Sequence, residues 1–250
     1  MAFERAEAPK GDGLKTTLDI VVAPKDAFER LRTAPTWGWA CAIAIVLLIA
    51  GYFMQRPAQL HAAIGTMQHM MATNSLFANM TDAEKQKAIE NAAHPGPIAT
   101  AFGVIGVVVS LFFAVLINSV VLLLGNALGR GTASFRQLWA GSMNVAVPTF
   151  GLNYLILGTI CLILGADHFV NSGDLFRAVP GLAMLFPSSH GFIGAFLFGI
   201  NVFTLWGFVL NATMLRVVGG VKGAVAWIVP LVVLVGGALL IGSMASFYGG

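Results

Sequence analysis

Charge is what this sequence has least of. Asp, Glu, Lys and Arg make up 10% of its 250 residues, against about 25% in a typical soluble domain, and its mean hydropathy is +0.82. So few charges cannot wet a soluble surface, which excludes a soluble enzyme, a nucleic-acid binder and a disordered chain. The 14 cations give a pI near 9.1, but they are spread between apolar segments and form no basic face for nucleic acid. Cysteine is also scarce. Cys41 and Cys161 each fall in an apolar run, where pairing would require Cβ atoms within about 4.5 Å, so both read as small buried apolar residues. The charged first 36 residues have no apolar core, so no cleavable signal peptide is expected there and the first hydrophobic segment is expected to be a retained anchor.

What the sequence has instead is hydrophobic length, with 18 Phe and 29 Gly suited to close helix packing in lipid. Five stretches, at about 37–54, 98–124, 138–164, 191–215 and 225–247, contain no Asp, Glu, Lys or Arg, and each is long enough to cross a bilayer. In hydrocarbon an open chain satisfies its backbone only as helix, and the alternation of a β-barrel is missing. The expected fold is an all-α integral membrane protein: a bundle of five transmembrane helices, with a cytoplasmic segment over 1–36 and a membrane domain over 37–250. A shorter apolar piece, 178–187, is bracketed by Pro180 and Pro187 and reads as an interfacial loop, or alternatively as re-entrant.

Lys and Arg divide ten against four between alternate loops. The positive-inside bias therefore predicts a cytoplasmic amino terminus, cytoplasmic second and fourth loops, and an external carboxyl terminus. Trp37, Trp39, Trp139 and Trp227 lie near the expected span ends, at headgroup level.

Outside the spans, Leu14, Leu18, Val21 and Val22 repeat at helical spacing, and after Pro24 the stripe continues through Phe28 and Leu31 beside Lys25, Arg30 and Arg32. This predicts an amphipathic interfacial helix on the cytoplasmic leaflet, able to dock a partner. In the first outer loop, Thr81 and Glu84 have capping-box spacing and Pro95-Gly96-Pro97 stops the chain, predicting one short helix over 82–92.

Inside the spans the informative residues are polar and small. Proton- or sodium-coupled carriers usually need an intramembrane ionisable group, and the spans offer none. Ser110, Ala114, Asn118 and, just past its end, Asn126 share a row of the second span, and Asn201, Thr204, Phe208 and Asn211 share a face of the fourth. Interhelical hydrogen bonding is the expected role, with a substrate path as the alternative. Pro148 denies a hydrogen bond to the Asn144 carbonyl, which predicts a kink and an acceptor that Asn118 could reach. The pairs Gly125/Gly129, Gly219/Gly223 and Ala195/Gly199 have small-xxx-small spacing, for packing or self-association.

His61, Met67, His69, Met70, Met71, Met80 and His94 share the first outer loop, and such ligands suit copper(I), although no Cys joins them and no strict motif is matched. Ser188-Ser189-His190 and Asp167-His168 are local nucleophile or base candidates without an orienting acid, and they read as loop residues. Asn79-Met80-Thr81 fits a glycosylation acceptor in a secretory-pathway host. No catalytic, cofactor or metal site is expected.

In order along the chain, Val22, Pro24, Phe28 and Leu31, then Leu128, Gly129, Gly131, Phe135 and Leu138 followed by Pro148, then Val202 to Trp206, make the sequence resemble the Yip membrane domain family, in its short bacterial form. The resemblance covers roughly residues 18–245. It implies a five-helix membrane domain without catalytic activity; eukaryotic members are associated with Rab binding and vesicle traffic. The sequence thus points to a non-enzymatic membrane adaptor or scaffold in the bacterial cytoplasmic membrane, partnered by the bilayer, by a membrane or cytoplasmic protein, or by a second copy of itself. Phe28, Arg30, Asn118, Phe135, Asn144, Pro148, Asn201 and Trp206 are its candidate structural or interaction residues. The alternatives are a permease or channel lined by Asn118, Asn144, Asn153 and Asn201, and copper handling by the Met/His loop.

Overall fold

The computed structural model describes residues 12–73, 77, 79–189 and 191–247. The first eleven residues of the amino-terminal segment, residues 74–76 and 78 of the expected first outer loop, His190 of the Ser-Ser-His triplet and the last three residues lie outside that description. Among the described residues the chain is helical and holds no strand; a single antiparallel bridge joins Gly181 and Asn201.

Two short helices come first, α1 (Gly13–Val22) and α2 (Pro24–Thr33). The Asp12 carboxylate accepts from the Lys15 N–H and caps α1, and Pro24 opens α2 at the position where its missing N–H costs nothing. Helix α3 (Gly38–Thr73) runs for 36 residues, well past the expected end at 54. Arg56 and Pro57 ended the apolar stretch in the sequence, but a helix that emerges from lipid needs only one apolar stripe. Ala58 and Ala62, one turn apart on that stripe, are buried against Leu157, Cys161, Phe169 and Val179.

Helix α4 (Asp82–Ala93) sits where expected, with its capping box complete: the Thr81 hydroxyl accepts from the Glu84 N–H, and the Glu84 carboxylate accepts from the Thr81 N–H. Helix α5 (Pro97–Leu128) follows, then α6 (Phe135–Ala146), a π-helical turn Val147–Leu152, and α7 (Asn153–Leu164). Ser134 and Gln137 form a second capping box at the start of α6. The connection after α7 folds into α8 (Ser172–Ala178) and, within the apolar piece 178–187, α9 (Leu182–Leu185); then come α10 (Gly191–Phe198), α11 (Val202–Val217) and α12 (Val225–Phe247). Four continuous helical stretches, Gly38–Ala72, Pro97–Leu128, Phe135–Leu164 and Val225–Ala245, are long and apolar enough to cross a membrane. The stretch expected as one span over 191–215 is instead two helices, broken at 199–201.

The chain forms two compact units. The first comprises Met1–Ile45, Leu111–Gly151 and Trp206–Val233. Its core gathers Ile20, Phe28 and Leu31 of the α1–α2 hairpin with Leu122, Leu138, Leu210, Met214 and Leu215. Phe28 and Leu31 are fully buried, each contributing about 1.5–3 kcal/mol for a segment that would otherwise face water. The second comprises Val46–Ser110, Leu152–Leu205 and Leu234–Gly250. There Gly51 and Gly158 let α3 and α7 meet backbone to backbone: a Cβ on Gly158 would lie 3.0 Å from the Gly51 carbonyl oxygen.

The small-xxx-small pairs act within the chain. Gly125 receives Val229, Gly129 receives Val221, and Gly199 faces Ala238. Gly223 instead takes a positive φ of 72° in the turn before α12.

Candidate functional site

In the first unit, polar side chains fix the amino-terminal hairpin to α6. Asn144, only 1% exposed, accepts from the Thr17 hydroxyl at 3.0 Å and donates to the carbonyls of Thr36 at 3.1 Å and Ala140 at 2.8 Å. Two turns earlier on the same face of α6, Gln137 donates to the Arg32 carbonyl at 2.6 Å. Within the hairpin, Arg30 pairs with Asp19 and donates to the Thr16 hydroxyl at 3.1 Å. The hairpin therefore turns its polar seam inward. Thr16, Thr17 and Ile20 are buried, while Leu18 is 59% and Val22 79% exposed. Phe28, expected at a docking face, lies in the core, and Arg30 clasps α1 to α2.

Phe135 remains at the surface, with its ring 6.1 Å from that of Trp139, which in turn meets Trp37 edge-on at 6.4 Å. Trp206 is partly buried against the core of the unit.

Asn118 and Asn211 form a reciprocal amide pair, Asn118 Nδ2 to Asn211 Oδ1 at 3.2 Å and Asn211 Nδ2 to Asn118 Oδ1 at 3.1 Å, and Asn118 also donates to Ser142 Oγ at 2.9 Å. Three helices, α5, α6 and α11, are joined there, at about 0.6–2 kcal/mol per contact.

Asn118 is thus not the partner of the Asn144 carbonyl, as the proline suggested. That carbonyl accepts from the Val147 N–H, and Thr149 Oγ1 donates to the Val145 carbonyl at 2.9 Å. The wider π turn around Pro148 absorbs the missing hydrogen bond without recruiting another helix.

Asn201 lies in the second unit, and its Nδ2 donates to the carbonyl of Phe198, the last residue of α10, at 3.0 Å. Its Oδ1 accepts from the N–H groups of Phe203 at 2.9 Å and Thr204 at 3.1 Å, restarting the helix after the break. The break is also paired: Leu182 N–H donates to the Ile200 carbonyl and Val202 N–H to the Pro180 carbonyl. Irregular backbone in an apolar stretch is tolerated where protein satisfies it.

The Asn residues expected to line a pathway are therefore held in separate local roles. Asn118 and Asn144 are bonded in the first unit and Asn201 is a cap in the second, where Asn153 keeps a buried Oδ1 with no partner among the described residues.

His61, on α3, and Ser189 are likewise engaged locally. His61 Nδ1 meets the Phe169 carbonyl at 3.1 Å and its Nε2 lies 3.8 Å from Asp167. Ser189 Oγ donates to the Phe186 carbonyl. Among the described residues no three His, Cys, Asp or Glu side chains gather as metal ligands.

Sequence reasoning missed Thr17, Gln137, Ser142 and the buried Gln55, which donates to the Tyr154 carbonyl at 2.9 Å. For Gln137 a signal existed, its capping-box spacing from Ser134.

These features define a polytopic helical membrane protein whose polar side chains lock helices together. The Yip1 domain model matches residues 18–244, and the chain belongs to that family. A curated relative, "Membrane protein YknW" of Bacillus subtilis (strain 168), is 24% identical over 228 residues, covering 91% of this chain and 87% of the relative. No solved structure matches the chain.

Proposed function

We propose that this Yip-family protein is a non-enzymatic adaptor or scaffold of the bacterial cytoplasmic membrane, crossing it five times with a cytoplasmic amino terminus and an external carboxyl end. In this reading residues 1–36 form the cytoplasmic segment, 37–250 form the membrane domain, and α10 and α11 together make the fourth crossing. The observation that carries the adaptor reading is the inverted α1 helix. Its polar seam is bonded to α2 and α6, and Leu14, Leu18 and Val22 are left outward. A helix so firmly anchored, with its apolar stripe facing away from its own core, offers a partner helix an i, i+4, i+8 row of anchors.

The test is site-specific photo-crosslinking of the full-length protein in native membranes from Leu18, Val22 and Phe135. The expected result is one protein adduct, recovered reciprocally when the partner carries the probe and lost in Leu18→Glu. Adducts to lipid alone from all three positions would refute the adaptor reading.

A further inference from the structure

A cleft of about 780 Å³ opens in the first unit between α2, the end of α11 and the start of α12. Lys25, Arg216 and Lys222 line it together with Thr213 and Trp227, and no carboxylate does. Asp26 follows Lys25 in the chain and is exposed; Glu29 meets Lys25 at 3.8 Å, with both side chains more than half exposed, a pairing worth little in water. Arg216 and Lys222 make no hydrogen bond or ion pair with any described residue. Three cations gathered in one concavity repel one another, so the arrangement calls for an anion.

The backbone holds the cleft open. The Val221 N–H returns to the Leu215 carbonyl at 3.0 Å, and Gly220 and Gly223 take φ of 68° and 72°, so the loop turns tightly and presents Lys222. The same loop is tied to the α5–α6 connection, where Thr132 N–H donates to the Gly219 carbonyl at 2.8 Å. Helix α12 begins at this cleft, so the positive end of its dipole is added to the three cations.

An anion held here also has an apolar track beside it. Trp227, whose ring is 5.7 Å from that of Phe208, is 42% exposed, and Ile228 and Leu231 continue outward along α12 at 55% and 47%. An indole at headgroup level, cations around a phosphate and an apolar helix face below it match the two ends of a phospholipid. A soluble anion would use only the first.

We propose that this cleft is a binding site for the phosphate headgroup of an anionic phospholipid, with an acyl chain lying along Trp227, Ile228 and Leu231. Arg216 and Lys222 supply the direct charge, and Lys25 brings α2 into the same site, so that the bound lipid fastens the amino-terminal hairpin.

The test is native mass spectrometry of the full-length protein released from mixed phosphatidylglycerol and phosphatidylcholine vesicles. The wild type is expected to retain phosphatidylglycerol selectively. Affinity should fall about five-fold for each cation removed, so Arg216→Gln with Lys222→Gln should lose more than about ten-fold, while Arg216→Lys with Lys222→Arg, and Lys85→Gln on α4, which does not line the cleft, retain wild-type selectivity. Circular dichroism of each variant should report unchanged helix content.

Millimolar inorganic phosphate or glycerol 3-phosphate should not displace the lipid, and displacement would assign the site to a soluble phosphate. Equal retention of phosphatidylglycerol by the wild type and the Gln pair would overturn the proposal and leave these cations to an acidic protein segment.

Discussion

Asn144 illustrates how a single polar residue in an apolar run can be read correctly as significant and wrongly as to its purpose. The sequence put it inside the third expected span, among the residues that could line a path. Its amide instead faces three protein partners, and one of them, Thr17, is 127 positions away. No periodicity encodes a pairing over that distance. The row containing Leu14 and Leu18 was legible, but which way it faced was set by Asn144 receiving the Thr17 hydroxyl on the other side. Replacing Asn144 by Ala would leave the Thr17 hydroxyl only the Gly13 carbonyl at 2.9 Å, would strand the Thr36 carbonyl, and should cost about 1–3 kcal/mol. That loss should be local. Hydrogen–deuterium exchange of the variant in detergent should rise over residues 13–36 and remain near wild type in α12. Unchanged exchange in the hairpin would mean that the buried Phe28 and Leu31 hold it without the amide.

At the scale of elements, what the sequence made legible were the apolar stretches and the capped starts, because those signals are local. Helix α4 was bounded correctly by Thr81, Glu84 and the Pro95-Gly96-Pro97 stop. The extension of α3 to Thr73 was not legible, since its burial partners Phe169 and Val179 arrive from a loop more than a hundred residues later. Nor was the break at 199–201, where Asn201 acts through local backbone bonds inside a run that hydropathy alone reads as continuous.

The capping box also gives α4 a pH dependence. The Glu84 carboxyl is held below its ordinary value by hydrogen bonds from the Thr81 backbone and hydroxyl. A folded-state value lowered in this way contributes stability above the unfolded carboxyl range and loses it as pH falls through the folded value. Amide protection across Asp82–Ala93 in the full-length protein should therefore be flat near neutrality and decline on acidification below the ordinary glutamate value of about 4.5. Glu84→Gln keeps an acceptor for the Thr81 N–H but cannot titrate, so its profile should be flatter. An identical decline in that variant would show that the Glu84 carboxylate is not its source.

For the whole molecule the decisive quantity is parity. Four helical stretches are each long enough to cross alone, and four crossings would return both ends of the chain to one side. The proposed fifth rests on α10 and α11. The 16 residues of α11 span about 24 Å, short of a hydrocarbon core of about 30 Å, so this crossing also draws on the 8 residues of α10, about 12 Å of helix. Two further observations favour the pair as a crossing. Without it, Arg216 and Lys222 change sides and the cation distribution drops from ten against four to eight against six, a weak bias. And Lys25, from the segment before α3, lines the same cleft as Arg216 and Lys222, so the segment before α3 and the loop after α11 face one aqueous side. An even number of crossings must separate them, and α3, α5 and α6–α7, each long and apolar enough to cross, would supply three. A paired alkaline phosphatase and green fluorescent protein reporter appended beyond α12 should then show phosphatase activity without fluorescence, and the same pair inserted between α11 and α12 should show the reverse. Fluorescence beyond α12 would remove the crossing from α10 and α11, and the common cleft of Lys25, Arg216 and Lys222 would go with it.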